Sequence, residues 1–358
     1  ITGATTFDSG SADLTLDQAA STFGSLTITG AAVSVLENAA VDLAGGTISG
    51  AASFDSTNNA ITDSGTLAIT GATTFNSGSA NLTLDEAAST FGSLTITGAV
   101  VSVVENAAMD LAGATISGDF EVTVSRGSLT DSGAVTVGGN ATLATNADDA
   151  TIDLGNLAVT GSISVTTNGT SGDVTLVNAS QIDFSAASVA GDLSATATGV
   201  ITDSGIVTVS GASEFINSAG FSDAITLDQS ENTFTGTVTF VTDGGSAVTI
   251  VDRTALDLKT LSAGSLSVTA GGEITDSGTL TISGATTFDS GSANLTLDEA
   301  ASTFGSLTIT GAAVSVLENA AVDLAGATIS GTASFNSTNN AITDSGTLAI
   351  TGATTFDS

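Results

Sequence analysis

Ile61-Thr62-Asp63-Ser64-Gly65, running on through Thr66-Leu67-Ala68-Ile69-Thr70-Gly71-Ala72-Thr73-Thr74-Phe75, is the phrase from which the fold is read. Its Thr-Asp-Ser-Gly core returns with the aspartate at Asp63, Asp131, Asp203, Asp276 and Asp344, at steps of 68, 72, 73 and 68 residues. A short β-rich phrase that recurs at a near-constant interval cannot bury its apolar face alone, so it must stack on its neighbours. The whole of 1–358 therefore reads as one repeat array, with units beginning near residues 1, 69, 137, 209, 282 and 350. A longer period overlies it: residues 1–77 match 282–358 at 70 of 77 positions, a period of 281, and the chain is expected to be part of a longer one.

Each unit carries three versions of one phrase, as in Ile1-Thr-Gly-Ala-Thr-Thr-Phe7, Leu26-Thr-Ile-Thr-Gly-Ala-Ala-Val33 and Thr47-Ile-Ser-Gly-Ala-Ala-Ser-Phe54. Leu26, Ile28, Val33 and Val35 alternate with Thr27, Thr29 and Ser34, the period of a strand with one buried face. Glycines at the phrase ends and Asn58-Asn59 supply corners. The expected fold is all-β, a parallel β-solenoid forming an elongated rod. Aligning the central apolar residues gives about 16 turns of 20–22 residues, with longer steps of 27 (Ile1 to Ile28), 30 (Val159 to Val189) and 31 (Val209 to Phe240) read as loop insertions.

Composition narrows the classes further. With 41% hydrophobic residues and a mean hydropathy of +0.40, the chain is too apolar to remain disordered. The absence of proline suits a fold that needs nearly every backbone N–H as a ladder donor. A net charge of −34, with Arg126, Arg253 and Lys259 as the whole basic complement, makes nucleic acid and anionic membranes poor partners. No cysteine means no disulfide framework, and no run of 18 apolar residues offers a membrane-spanning helix.

The phrases Gly24-Ser-Leu-Thr-Ile-Thr-Gly30 and Gly65-Thr-Leu-Ala-Ile-Thr-Gly71, on turns of about 20 residues, resemble the repeats of filamentous-haemagglutinin-like adhesins and related giant bacterial exoproteins. The resemblance runs along the whole chain. It implies a right-handed β-helix displayed outside the cell as an adhesin stalk or matrix fibre.

Polysaccharide-cleaving β-helices use carboxylate clusters, for which the candidates are Asp148, Asp149 and Asp153, and the group Asp252, Arg253, Asp257 and Lys259. Arg253 and Lys259 are read instead as local partners of those aspartates, and without His or Cys the common nucleophile and base pairs are impossible, so no enzyme is expected. Asp63, Asp131, Asp203, Asp276 and Asp344 are weak candidates for calcium; their expected role is to form turns, the carboxylate accepting N–H groups beside Gly65 and its copies. Outward Thr27/Thr29, Thr47/Ser49, Thr95/Thr97, Thr115/Ser117, Thr308/Thr310 and Thr328/Ser330 form a hydroxyl file of the kind found on ice-binding solenoids, but Ala68, Gly138, Ala158 and Ala349 interrupt it. Phe7, Phe54, Phe75, Phe288 and Phe335 are expected in the core. Asn81, Asn140, Asn168, Asn178, Asn294 and Asn336 open Asn-x-Ser/Thr sequons. The expected function is structural: a non-catalytic segment of an extracellular fibre or adhesin shaft, whose partners are further copies, end to end or laterally. The alternative is a module that binds cell-surface glycans or a partner through the stretches 159–189 and 209–240.

Overall fold

Alternation of apolar and hydroxyl-bearing residues produces short strands from one end of the chain to the other. The computed structural model describes residues 1–218 and 223–358, and among them every regular element is a strand, every strand pairing is parallel, and no helix occurs. The chain divides into two compact units, Ile1–Ala179 and Ser180–Ser358, each a parallel β-solenoid, with about 18 turns between them.

In the first unit the strands fall into two stacks. One holds the strands that start at Ala4, Ser25, Val41, Ile61, Leu82, Val101, Phe120, Ala141 and Ile163; the other holds those that start at Leu14, Val33, Ala52, Ala72, Ser93, Met109, Leu129, Ile152 and Val174. Two short strands stand outside these series: Leu67–Ile69 lies beside the second half of Val41–Ile48, and Val135–Val137 beside the second half of Met109–Ile116, so a long strand on one turn is faced by two short ones on the next. Turn length varies, from Leu26 lying beside Leu43 in the first unit to Ser213 lying beside Val238 in the second. Inward positions are closely packed: Leu26, Ile28, Val33, Val35, Phe54 and Phe75 are all buried. Phenylalanines stack between turns as expected, with Phe54 over Phe75 at 5.3 Å and 12° and Phe335 over Phe356 at 5.6 Å and 11°.

The register keeps several of the 20–22-residue steps, with Ile48 beside Ile69, Ile116 beside Val137 and Ile329 beside Ile350, but corrects the count of 16 turns and the 27-residue steps. Ile28 sits beside Phe7, and Ile96 beside Phe75, so the central isoleucines are not one file. The reason is that a repeat unit occupies three and a half turns, not three. Ile61–Asp63 lies in one stack and its copy Leu129–Asp131 in the other. A step of 27 residues is one turn of 21, from Phe75 to Ile96, plus a passage around a corner, and the loop it contains lies within the ordinary turn length. The stretch 159–189 holds strands instead of an irregular loop: Ile163–Asn168 and Val174–Asn178 at the end of the first unit, and Ile182–Val189 at the start of the second. In 209–240 the strands Ser213–Asn217, Ile225–Leu227 and Thr237–Val241 continue the pattern, and residues 219–222 lie outside the described residues.

The hydroxyl file is corrected for the same reason. Thr29 adjoins Thr47, but Thr27 adjoins Gly45 and Thr95 adjoins Gly113, so no continuous row forms. At the corners, Thr57 and Asn58 adopt left-handed conformations (φ 49° and 66°), and the Asn59 amide donates to the Ser56 carbonyl at 2.8 Å.

Candidate functional site

Strand alternation places Ile61 and Asp63 on the inward side and Thr62 on the outward side, so the aspartate of the recurring motif is a core-facing carboxylate, 6% exposed. It does not fold back on its own turn toward Gly65. Asp63 Oδ1 accepts the N–H of Asp85 in the next turn at 2.8 Å, and Oδ2 accepts the Ser89 hydroxyl at 3.4 Å. Asp276 repeats this with Asp298 (2.7 Å) and Ser302 (3.4 Å). Asp203 accepts from Asp228 N–H (2.9 Å), Gln229 N–H (3.3 Å) and the Asn232 amide, and Asp131 from Gly155 and Asn156 N–H, both at 2.8 Å. Asp344 is exposed.

The other three residues of the motif grip the turn before. Thr62 Oγ1 donates to the Val41 carbonyl, and Ser64 Oγ donates to Asp42 Oδ2 at 3.0 Å. Copies repeat the serine contact as Ser132 to Asp110 (2.9 Å), Ser204 to Asp183 (2.9 Å) and Ser345 to Asp323 (2.8 Å). Gly65 has no room for a side chain, because a Cβ there would overlap the Ala44 carbonyl of the preceding turn. The motif is thus a clip across three turns: Thr, Ser and Gly reach back, and Asp reaches forward. Burial raises Asp63 and Asp276 to about 6, against the pull of the N–H donors.

The forward contact holds a corner loop inside the 27-residue step from Ile69 to Ile96, where a loop is expected from the sequence. Residues 85–92, Asp-Glu-Ala-Ala-Ser-Thr-Phe-Gly, are pinned at their start by Asp63 and at their end by Glu105 of the following turn, whose Oε1 accepts the Phe91 N–H at 2.7 Å. Ser89 Oγ in turn accepts the Leu67 N–H at 3.1 Å, and Phe91 packs edge-on against Phe75 at 5.7 Å. Equivalent segments occur at 17–24 with Glu37, at 228–236 with Asp203 and Asp252, where Thr233–Phe234 is a short strand, and at 298–305 with Asp276 and Glu318, where the last three residues already belong to the strand Thr303–Gly311. For Glu105 the signal was available: Val101, Val103 and Glu105 share one parity, and parity alone assigns the glutamate to the core. Asp63→Ala strands the Asp85 N–H, and the expected cost is about 1–3 kcal/mol in urea unfolding, against near zero for exposed Asp344→Ala.

The catalytic candidates are not drawn into a cluster. Asp149 lies at a corner (φ 60°), where Oδ1 accepts Thr170 and Ser171 N–H at 2.7 and 2.9 Å, and these bonds hold its carboxyl below the usual range. Asp148 and Asp153 point outward. Arg253 pairs with Glu231 of the preceding turn at 2.9 Å rather than with its sequence neighbours, while Asp252 accepts Thr254 N–H (2.7 Å) and Phe234 N–H (3.1 Å). Lys259 is exposed in Leu256–Ala263, and Asp257 is half-buried there. Among the described residues, no group of three or more acidic side chains gathers to hold a metal ion. The five motif aspartates act singly. Open troughs of about 370 Å³ lie on the outward face beside Thr15, Ser34 and Ser53, and at their copies Thr296, Ser315 and Ser334.

The chain matches the family described as Repeats of unknown function (DUF5649) over residues 1–30, 29–98, 97–151, 171–241, 245–311 and 310–358. No curated protein and no solved structure matches the chain.

Proposed function

Because the chain belongs to that family of repeats, we propose that it is a non-catalytic structural segment of an extracellular surface fibre or adhesin shaft, of the filamentous-haemagglutinin-like kind. The observation that carries the reading is how the recurring side chains are used. Thr62, Asp63, Ser64 and Gly65 all act on adjacent turns of their own solenoid, and Asp131, Asp203 and Asp276 likewise reach the next turn, so what recurs serves length and continuity. A family built around a catalytic or ligand-binding residue would repeat a side chain that faces outward or into a cavity.

Localisation at the cell surface, partners that are further copies, and recognition of surface glycans by other parts of the protein belong to the same proposal. The net charge of −34 supports it by keeping a long exposed array soluble and by requiring salt or cations for lateral packing. On the intact parent protein, antibody against this segment is expected to label unpermeabilised cells. Removal of one 281-residue period should leave export and attachment intact while shortening the surface fibre. Labelling confined to permeabilised cells, or a polysaccharide-cleaving activity that disappears in Asp149→Ala, contradicts the reading.

A further inference from the structure

A carboxyl group in a solenoid core must be fully hydrogen-bonded there or be neutral. Glu37, Glu105 and Glu318 occupy one position of the repeat, and each is fully buried. In each, one oxygen accepts the N–H of a loop phenylalanine, at 2.6 to 2.7 Å, while Oε2 has no hydrogen-bond partner. At the same position another unit carries Asn178, a neutral side chain that completes both bonds. Its Oδ1 accepts the Val159 N–H at 2.8 Å, and its Nδ2 donates to the Val159 carbonyl at 3.0 Å. The seat therefore accepts an uncharged group, and an ionised glutamate leaves a charged oxygen in the core.

At Glu105 and Glu318 the elements packed against the seat offer no cation to hold that charge, whereas Glu37 lies within reach of the Ile1 ammonium, which favours its ionised form. For Glu105, the turn before contributes Asp63, and the loop itself contributes Asp85 and Glu86. The turn after sets Val124 beside it and carries Glu121 outward, with exposed Arg126 beyond. For Glu318 the corresponding acids are Asp276, Asp298 and Glu299, and the following turn supplies Asn336 and buried Ser337. Burial raises Glu105 to about 8 and Glu318 to about 7 from an ordinary 4.5, outweighing the single N–H bond that each accepts.

We propose that loops 85–92 and 298–305 are proton-operated latches: with Glu105 and Glu318 neutral each loop is pinned over the core, and on ionisation the glutamate turns out to water and releases it. A carboxyl whose closed-state pKa lies above its open-state value stabilises the closed state fully below the open-state pKa, and loses that contribution as pH rises through the closed-state value. For Glu105 the window runs from 4.5 to about 8. Across it the opening equilibrium rises about tenfold per pH unit and then levels off. The response is the reverse of acid denaturation: the array tightens on acidification.

The test is hydrogen exchange on the whole chain between pH 5 and 9, corrected for intrinsic amide rates. Protection of 85–92 is expected to fall about tenfold per pH unit and to level near the closed-state pKa, with 298–305 levelling first. Glu105→Gln should flatten the profile of 85–92 and leave 298–305 responsive. Asn178→Asp, at a seat that now holds a neutral amide, should install a pH-dependent loss of protection around Val159, which decides the matter even where Glu105→Gln folds poorly. Protection that stays flat with pH in the unaltered chain overturns the proposal, as does a wild-type slope in Glu105→Gln or no new pH dependence in Asn178→Asp.

Discussion

Gly205→Ala is expected to destabilise the second unit by about 4 kcal/mol in denaturant unfolding, at the upper end of single-residue effects. Gly205 is the glycine of the third Thr-Asp-Ser-Gly clip, and a methyl group on it would overlap the carbonyl oxygen and carbon of Ser185 in the turn below. Neither partner can give way. Ser185 belongs to the strand Ile182–Val189, and Gly205 is held by its own N–H bond to the Phe184 carbonyl at 3.0 Å. The methyl must therefore push two backbones apart, at the cost of the ladder bonds on either side. Gly155→Ala is the control. Its nearest non-neighbouring atom, Asp131 Oδ1, lies 3.9 Å from the added carbon, and its φ lies outside the left-handed range. A change within about 0.5 kcal/mol is expected there. Equal losses at the two positions would show that close approach is not what keeps Gly205 a glycine.

Phe215→Ala is expected to cost about 3–5 kcal/mol. Phe215 is fully buried at the centre of an aromatic cluster, stacked on Phe240 at 5.7 Å and meeting Phe234 and Phe184 edge-on at 5.9 and 6.4 Å. Truncation leaves three rings facing a void that ladder bonds above and below prevent from collapsing. It also removes the ring against which Phe234 packs, so the corner loop 228–236 loses its apolar anchor. Phe356→Ala removes a ring that stacks on Phe335 but is 50% exposed, and less than about 1 kcal/mol is expected. A ratio near one between the two variants, measured under the same conditions, would contradict the buried-cluster account.

The parallel solenoid was legible because alternation at Leu26, Ile28, Val33 and Val35 and the recurrence of Thr-Asp-Ser-Gly are both short-range signals. The number of turns was not, because sequence similarity between phrases does not require that they stack. Ile69 and Ile96 belong to matching phrases, yet Ile96 lies beside Phe75. Half-turn offsets are invisible to a one-dimensional alignment when both stacks use the same residue types. Asp-x-Gly is a common local turn and by itself points Asp63 toward Gly65, but strand parity turns the carboxylate inward, toward donors 22 residues away. Glu105 is hidden for the opposite reason: a glutamate among alanines and an asparagine reads as solvated surface unless the parity of Val101 and Val103 is carried through it.

The register itself is open to direct measurement, and the absence of cysteine makes the chain a clean background for it. The pair Thr74→Cys with Thr95→Cys joins exposed residues that are direct parallel neighbours, whereas Thr70→Cys with Thr97→Cys joins the residues that phrase alignment would pair. Mild oxidation is expected to close the first pair nearly completely and to leave the second open, which places the phrases on either side of the 27-residue step out of register with one another. Closure of the second pair with the first left open would restore three turns to the unit and dismantle the clip between Asp63 and the next corner loop.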